Sequence, residues 1–332
     1  MPSEQSKKPV VLSGIQPSGR LHIGNYLGAL KNFVAMQESG LYTCYFMIAD
    51  LHSLTEPYEV NDKKAQLIDL AASYLAAGLD PARSVQFFQS HISAHTELAW
   101  ILNTITPMGE LERMTQYKDK SGRMETNAGL FTYPALMAAD ILLYGTTLVP
   151  VGDDQDQHLE LTRTLARKFN NRFGETFVEP KALHTETPRV MSLDNPEKKM
   201  SKSQPSGCLF LDDEPEVIRK KVMSAVTDSG SEVKFDEATK PGVSNLLLIA
   251  SSLTGKTIPQ LEGELAGIQY GAFKAAVAEI VIAYFAPFRA RKAELLKNPA
   301  EIMQVFTDGA KKASLVSTAK LKEVYEKAGL IW

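Results

Sequence analysis

The chain has 332 residues, 44% hydrophobic and 23% charged, which fits a folded globular protein with one large catalytic domain and a smaller partner, and excludes disorder or a fibrous repeat. Its formal net charge of -3 announces no nucleic-acid partner, so any such partner must be argued from motifs. Cys44 and Cys208 lie far apart without a Cys-x-x-Cys spacing, so neither a disulfide framework nor a zinc site is expected, and no metal-binding residues are assigned.

Residues 1–9 are polar and carry lysines, without the apolar stretch of a secretory signal, and no later apolar run is expected to approach a membrane span. The expectation is a cytoplasmic protein with no membrane partner. Val10-Val11-Leu12 predicts a first strand; a turn broken by Gly14, Pro17 and Gly19 follows, then a helix face at Ile23, Leu27, Leu30 and Val34. The alternation repeats with a strand over 42–49, a helix face at Leu67, Leu70, Ala71 and Tyr74, a strand over 85–88, and a helix at Leu98, Ile101, Leu102 and Ile105. Alternating strands and helices predict an α/β fold, a Rossmann-like parallel sheet with helices on its faces.

From Pro107 to Ala128 the pattern lapses into a polar segment with Arg113, Lys118, Lys120 and Arg123, and Tyr133-Pro134 then opens an apolar helix ending near Tyr144. Leu148 to Val151 predicts another strand, followed by a helix face at Leu159, Thr162, Leu165, Ala166 and Phe169. Beyond residue 211 only helical faces are expected: 217–226, 245–253, a stretch over 270–296 interrupted at Pro287, and 310–328. The predicted division is a catalytic domain over 1–206, with an insertion at about 107–144, and an all-helical C-terminal domain over 207–332, whose acidic and basic side chains are equal in number.

In an open parallel sheet, ligands bind where strands end and helix N-termini offer unpaired N–H groups to phosphate. The first strand exit suits this, with Gly14, Gly19 and Gly24 admitting close backbone approach and Gln16 and Ser18 offering neutral hydrogen-bonding groups. His22 and Asn25, three apart at the helix start, can face one ligand. By itself His22-Ile23-Gly24-Asn25 reads equally as a glycine-rich turn with a capping Asn. It is neither a dinucleotide fingerprint nor a Walker loop. Lys199-Met200-Ser201-Lys202-Ser203 is more specific: two lysines three apart among small hydroxyl residues can fold over a triphosphate and stabilise departing pyrophosphate.

Asp140 interrupts an apolar helical run, where an unpaired carboxylate is costly. Tyr133, Met137 and Asp140 share a helix face, pointing an aromatic ring, a thioether and an acceptor one way, a set that matches an indole with its single N–H. From the residues alone, Asp140 can equally pair with a lysine or cap a neighbouring helix. His52, His91, His95 and His158 form no base-and-nucleophile arrangement and are read as structural.

The pair 22–25 and 199–203 resembles the two signatures of class I aminoacyl-tRNA synthetases. The runs Ser13-Gly14-Ile15-Gln16-Pro17-Ser18-Gly19, Gly109-Glu110-Leu111-Glu112-Arg113-Met114-Thr115-Gln116, residues 133–144 and Val149-Pro150-Val151-Gly152-Asp153-Asp154-Gln155 narrow the resemblance to the bacterial tryptophanyl-tRNA synthetases, over nearly the whole chain. Many members have Thr at the position of His22 and Glu at that of Asp153; both changes keep a hydrogen-bonding group.

The resemblance implies that tryptophan is activated with ATP and Mg2+ to an adenylate, releasing pyrophosphate, and then passed to the 3′ end of tRNA(Trp). It assigns Lys199 and Lys202, with Gln16, to catalysis. ATP binding falls to Gln16, Pro17, Ser18, His22, Gly24, Asn25, the loop Gly152, Asp153 and Asp154, a backbone adenine contact at Val190, and Lys199, Met200, Ser201, Lys202 and Ser203. Tryptophan falls to Asp140 at the indole nitrogen, with Met137, Tyr133 and Gln155. It also implies a homodimer through the 107–144 insertion and anticodon reading by 207–332. Competing readings are the tyrosine-specific sister enzyme, a carboxylate-adenylating ligase without tRNA, and a non-catalytic RNA-binding relative.

Overall fold

A computed structural model describes residues 8–115, 117–118, 127–152, 155–184 and 188–332. Five strands, β1 (Val10–Ile15), β2 (Thr43–Ile48), β3 (Val85–Phe88), β4 (Leu148–Val151) and β5 (Lys181–His184), form one parallel sheet in the order β3-β2-β1-β4-β5. The order reverses between β1 and β4, so the crevice at their carboxyl ends is where this architecture receives a ligand. β2 is almost entirely buried and reads as a continuous apolar run, as a strand covered on both faces must.

The first helix, α1, starts with Ile23–Asn25, passes through a π-helical stretch at Tyr26–Leu30 and continues as Lys31–Ser39. Single π turns recur beside functional sites. The remaining helices are α2 (Val60–Ala76), α3 (Ala94–Asn103), α4 (Met108–Glu112), α5 (Ala128–Leu142), α6 (Asp156–Phe173), α7 (Pro215–Met223), α8 (Pro241–Thr254), α9 (Ile258–Glu264), α10 (Tyr270–Leu295) and α11 (Pro299–Ala328).

Three expectations need correction. Helix α5 opens at Ala128, capped by the Asn127 side chain on the Leu130 N–H, and carries Pro134 in its interior. Helix α10 runs unbroken through Pro287; Arg289 donates to the Ile282 carbonyl beside the turn where the proline lacks an N–H. α10 is also long and apolar enough to cross a membrane, with mean hydropathy 1.4 over its best window, contrary to the expectation that no run would be. Its buried Phe273, Val277, Ala278, Val281, Phe285 and Phe288 pack as a core face, and buried Lys292 is ion-paired to Asp69 and Asp212.

Strand β5 was not expected. Among the described residues no strand follows residue 211. The helices after 206 share a hydrophobic core with the sheet region: one cluster joins Leu27, Phe33 and Phe46 to Leu246, Val277 and Phe306. α11 packs on β3, with Phe306 against Phe88 at 4.8 Å.

Candidate active site

The exit of β1 is held open by a buried tyrosine. Tyr74 of α2 accepts from the Ile15 N–H (3.1 Å) and donates to the Met47 carbonyl (3.0 Å), so its hydroxyl satisfies both strands at their ends. Past Ile15 the chain turns through Gly19, whose φ of 97° lies in the left-handed region that favours glycine.

His22 then caps α1. Its Nδ1 accepts from the Gly24 and Asn25 N–H groups (3.1 and 3.3 Å), and Asn25 Oδ1 accepts from the His22 N–H (3.2 Å). A side chain at Gly24 would begin 2.9 Å from the His22 ring, so glycine is required for this cap. The two residues thus engage one another as well as facing a common space. Burial, reinforced by the Lys202 and Lys199 charges, pushes the His22 pKa down to about 4. The ring is therefore neutral, and with Nδ1 accepting, Nε2 carries the proton as a donor.

The second signature is stitched onto the first. Ile23 N–H donates to the Leu209 carbonyl (2.9 Å) and Leu211 N–H to the Leu21 carbonyl (3.0 Å). Lys202 Nζ reaches Ser18 Oγ (3.0 Å) and the Gly19 carbonyl (3.2 Å), and burial lowers its pKa to about 8. Lys199 is exposed, and buried Met200 pins the segment between the lysines to the core. Ser18, His22, Gly24, Asn25, Lys199, Met200, Ser201 and Lys202 line one cavity of about 590 Å³. Ser203 stands exposed beside it, its N–H on Ser201 Oγ.

Val190 is buried against Gly24, with its carbonyl taken by the Met200 N–H (3.0 Å). The next residue is gripped from the helical region: Asn245 of α8 accepts from the Met191 N–H and donates to its carbonyl, both at 2.9 Å. Sequence reasoning did not single out Asn245; a polar residue inside an apolar helical run marks the position, though not its partner.

A second cavity of about 350 Å³ opens at the ends of β1, β2 and β4, lined by Gly14, Gln16, Met47, His52, Pro150, Gln155 and the α5 face of Tyr133, Met137 and Asp140. Gln16, with Pro17 and Ser18, also lines an adjoining polar cavity that holds Lys63 and Asp62. Asp153 and Asp154 lie outside the described residues, as do Gln116, Lys120 and Arg123; Gly152 ends the segment after β4.

Asp140 is fully buried and pairs with neither a lysine nor a helix end. His95 Nδ1 (2.7 Å) and Gln89 Nε2 (2.8 Å) meet Oδ1, while His52 Nε2 (2.8 Å) and Gln89 Nε2 (2.9 Å) meet Oδ2. Burial opposes its charge, but the hydrogen bonds from His52 and His95 prevail and hold the carboxyl below the usual range. His158 is at 2.6 Å from the Tyr133 hydroxyl. Of the histidines read as merely structural, His52 lines this cavity, while His95 and His158 hold two of its lining residues, Asp140 and Tyr133.

Among the described residues no group of three or more His, Cys, Asp or Glu could hold a metal. Cys44 and Cys208 are free, buried thiols whose pKa burial raises to about 11.

The sequence pattern of the tRNA synthetases class I (W and Y) matches residues 4–286. The tryptophan–tRNA ligase of Caldanaerobacter subterraneus is 51% identical over 97% of this chain and 98% of its own length. The solved tryptophanyl-tRNA synthetase of Mycoplasma pneumoniae superposes with a TM-score of 0.87 at 35% identity, covering 97% of this chain and 98% of that one. That of Campylobacter jejuni, complexed with ADP and tryptophan, gives 0.85 at 39%, covering 97% and 100%. The chain belongs to the class I tRNA synthetases for tryptophan and tyrosine, on their bacterial tryptophanyl branch.

Proposed function

We propose that this chain is a ligase that activates L-tryptophan with ATP and transfers it to the 3′ end of tRNA(Trp). The observation that carries the reading is the arrangement around β1: a cavity with a buried, ionised Asp140 and a cavity lined by two lysines both open at its exit, where Gln16 lines the first and Ser18 the second.

In the first step an oxygen of the tryptophan carboxylate forms a bond to the α-phosphorus of ATP, the bond from that phosphorus to the α–β bridging oxygen breaks, and pyrophosphate leaves with the electron pair. No side chain becomes covalently attached. Lys199 and Lys202 stabilise the charge that grows on the leaving pyrophosphate, and His22 adds a neutral N–H donor; because His22 Nδ1 takes the Gly24 and Asn25 N–H groups, Gly24 contributes close backbone approach and Asn25 its side-chain amide toward phosphate and sugar. Gln16, Pro17 and Ser18 frame the triphosphate, while Gly152, Asp153, Asp154, Val190, Met200, Ser201 and Ser203 complete the nucleotide site. Asp140 accepts the indole N–H, with Met137 and Tyr133 against the ring and Gln155 toward the amino-acid end.

ATP enters with a divalent metal, and we take the ion to be Mg2+. The phosphate cavity offers lysines, an imidazole and hydroxyls, so the ion would sit on ATP's own oxygens, with Ser18 and Ser201 as neutral oxygens in the lining. It supplies charge neutralisation on the phosphates.

We assign catalysis to 1–206 and anticodon reading to 207–332, in a cytoplasmic homodimer joined through 107–144. Exposed Trp100, just before that insertion, and Met108, within it, are 73% and 62% accessible and support a contact there.

The test is amino-acid-dependent exchange of labelled pyrophosphate into ATP with tryptophan, tyrosine and phenylalanine. Exchange with tryptophan alone is expected; its absence with tryptophan would sink the reading.

A further inference from the structure

Asp140 is fully buried, and its carboxylate is covered by three protein donors. Gln89 contributes to both oxygens, His95 to Oδ1 and His52 to Oδ2. A ligand donor must therefore displace a protein donor. The three partners are not equally free to leave. Gln89 is fully buried, and its Oε1 accepts from the Leu51 N–H (3.1 Å), which fixes the amide with Nε2 toward Asp140. His95 is also fully buried; its Nε2 lies 2.9 Å from the Tyr144 hydroxyl, and its ring stacks on Phe87 with centroids 6.0 Å apart. His95 Nδ1 faces an acceptor-only carboxylate oxygen, so it is Nδ1–H that donates to Asp140.

His52 is also buried, 6% exposed, with its ring edge-on to Tyr133 at 6.1 Å, but its surroundings differ. It sits at the start of the short 3₁₀ turn His52–Thr55, and of Asp140's three partners it is the one that lines the amino-acid cavity. Its other side borders a further cavity of about 290 Å³, walled by Leu54, Ala99, Trp100 and Leu136, so the ring has space to move into.

We propose that His52 is a stand-in donor: its Nε2–H occupies on Asp140 Oδ2 the position that the indole N–H of tryptophan takes, and the ring yields that position when the amino acid binds. The inference rests on tryptophan being the substrate and on Asp140 accepting its N–H. A buried carboxylate left short of partners is costly, and the exchange keeps Asp140 fully paired both before and after binding. One consequence runs against intuition. An amino acid without a donor leaves His52 in place and does not strip Asp140 of a partner, so His52 softens the discrimination that Asp140 provides. His95, Gln89 and Tyr144 are positioning residues that hold the carboxylate while the third donor changes from His52 to the ligand.

The experiment compares L-tryptophan with 3-(3-benzothienyl)-L-alanine, which replaces the N–H by sulfur at nearly constant shape. In the full chain with ¹⁵N-labelled histidine, tryptophan is expected to shift the His52 Nε2–H resonance out of its hydrogen-bonded position and leave that of His95 Nδ1–H in place; the analogue moves neither. In parallel, His52→Ala is expected to raise the ratio of the analogue's Kd to that of tryptophan by ~10-fold, the scale of one hydrogen bond to a charged group. Contacts common to the two ligands cancel in that ratio. A His52 resonance unmoved by saturating tryptophan, equal movement with both ligands, or a ratio that stays level or falls would overturn the proposal. Tryptophan that binds and supports pyrophosphate exchange while His52 stays on Asp140 sinks this inference alone; tryptophan that does neither sinks the substrate reading with it.

Discussion

The two cavities flanking β1 are built in opposite ways. The amino-acid cavity is walled by elements of the sheet region, and its one carboxylate is held by hydrogen bonds from the turn after β3, from α3 and from the 3₁₀ turn after β2. The phosphate cavity forms where two segments far apart in sequence dock, one bearing the exposed Lys199 and the half-buried Lys202. Selection calls for an acceptor that does not adjust to the wrong ligand, whereas leaving-group stabilisation calls for cations that can follow a moving charge. Rigidity and looseness here follow that division of labour.

Breaking the rigid side has the largest expected effect. Asp140→Ala is expected to cut the preference for tryptophan over phenylalanine by up to ~10³, measured as the ratio of kcat/KM values in pyrophosphate exchange, less than the ~10⁴ of a site whose acceptor is left unpaired. Unchanged selectivity would make Asp140 a structural residue only. On the loose side, Lys202→Ala should lower the rate of adenylate formation by about 10²–10³ with little change in tryptophan affinity. Equal losses in both would contradict a role specific to the transition state.

The lysine also sets a pH window. With its pKa lowered to about 8, Lys202 in the free enzyme loses its charge as pH rises through that value. kcat/KM for ATP should therefore fall above about pH 8, and Lys202→Arg, which stays charged, should move the decline upward. A profile with the same decline in both proteins would assign it to another group.

Smaller effects concern stability. Lys292→Met leaves Asp69 and Asp212 facing each other without their shared cation. Because both carboxylates are partly exposed, the loss is expected to be about 2 kcal/mol in denaturant melts, below that for a fully buried pair. His22 gives the smallest signal. Its folded pKa of about 4 lies below the ordinary 6.5, so the unfolded chain takes up a proton first, and stability falls as pH drops through the interval between them. His22→Gln should flatten that slope, which urea titrations at pH 7, 6, 5 and 4 would reveal.

The parallel sheet was legible because β1 to β4 are apolar runs separated by helix faces of regular period. β5 was not: Lys181-Ala182-Leu183-His184 lacks β-branched residues, and its place at the sheet edge leaves it half exposed. The two prolines misled for a shared reason. Pro134 and Pro287 were taken as a start and a break, yet both lie inside helices.

At the site, the signatures and the Tyr133–Met137–Asp140 face were readable from order and spacing. What holds Asp140 was not, since His52, Gln89 and His95 lie 88, 51 and 45 residues away and only folding brings them together. The grip of Asn245 on Met191 was equally hidden, 54 residues distant.

The wall of the phosphate cavity is also tied to the helical region by side chains. Tyr26 in the π-helical turn meets the Tyr284 hydroxyl at 2.8 Å, Lys31 donates to the Ser252 carbonyl (2.7 Å), and Arg20 shares Asp212 with Lys292. These contacts join the two regions through side chains as well as through the shared core. If RNA docking on the helices changes the affinity for ATP by some factor, thermodynamics requires ATP to change the affinity for that RNA by the same factor. Two titrations, each run with and without the other ligand, should then agree number for number, and the Tyr26–Tyr284 contact is the place to cut if the coupling is to be abolished while both sites are kept.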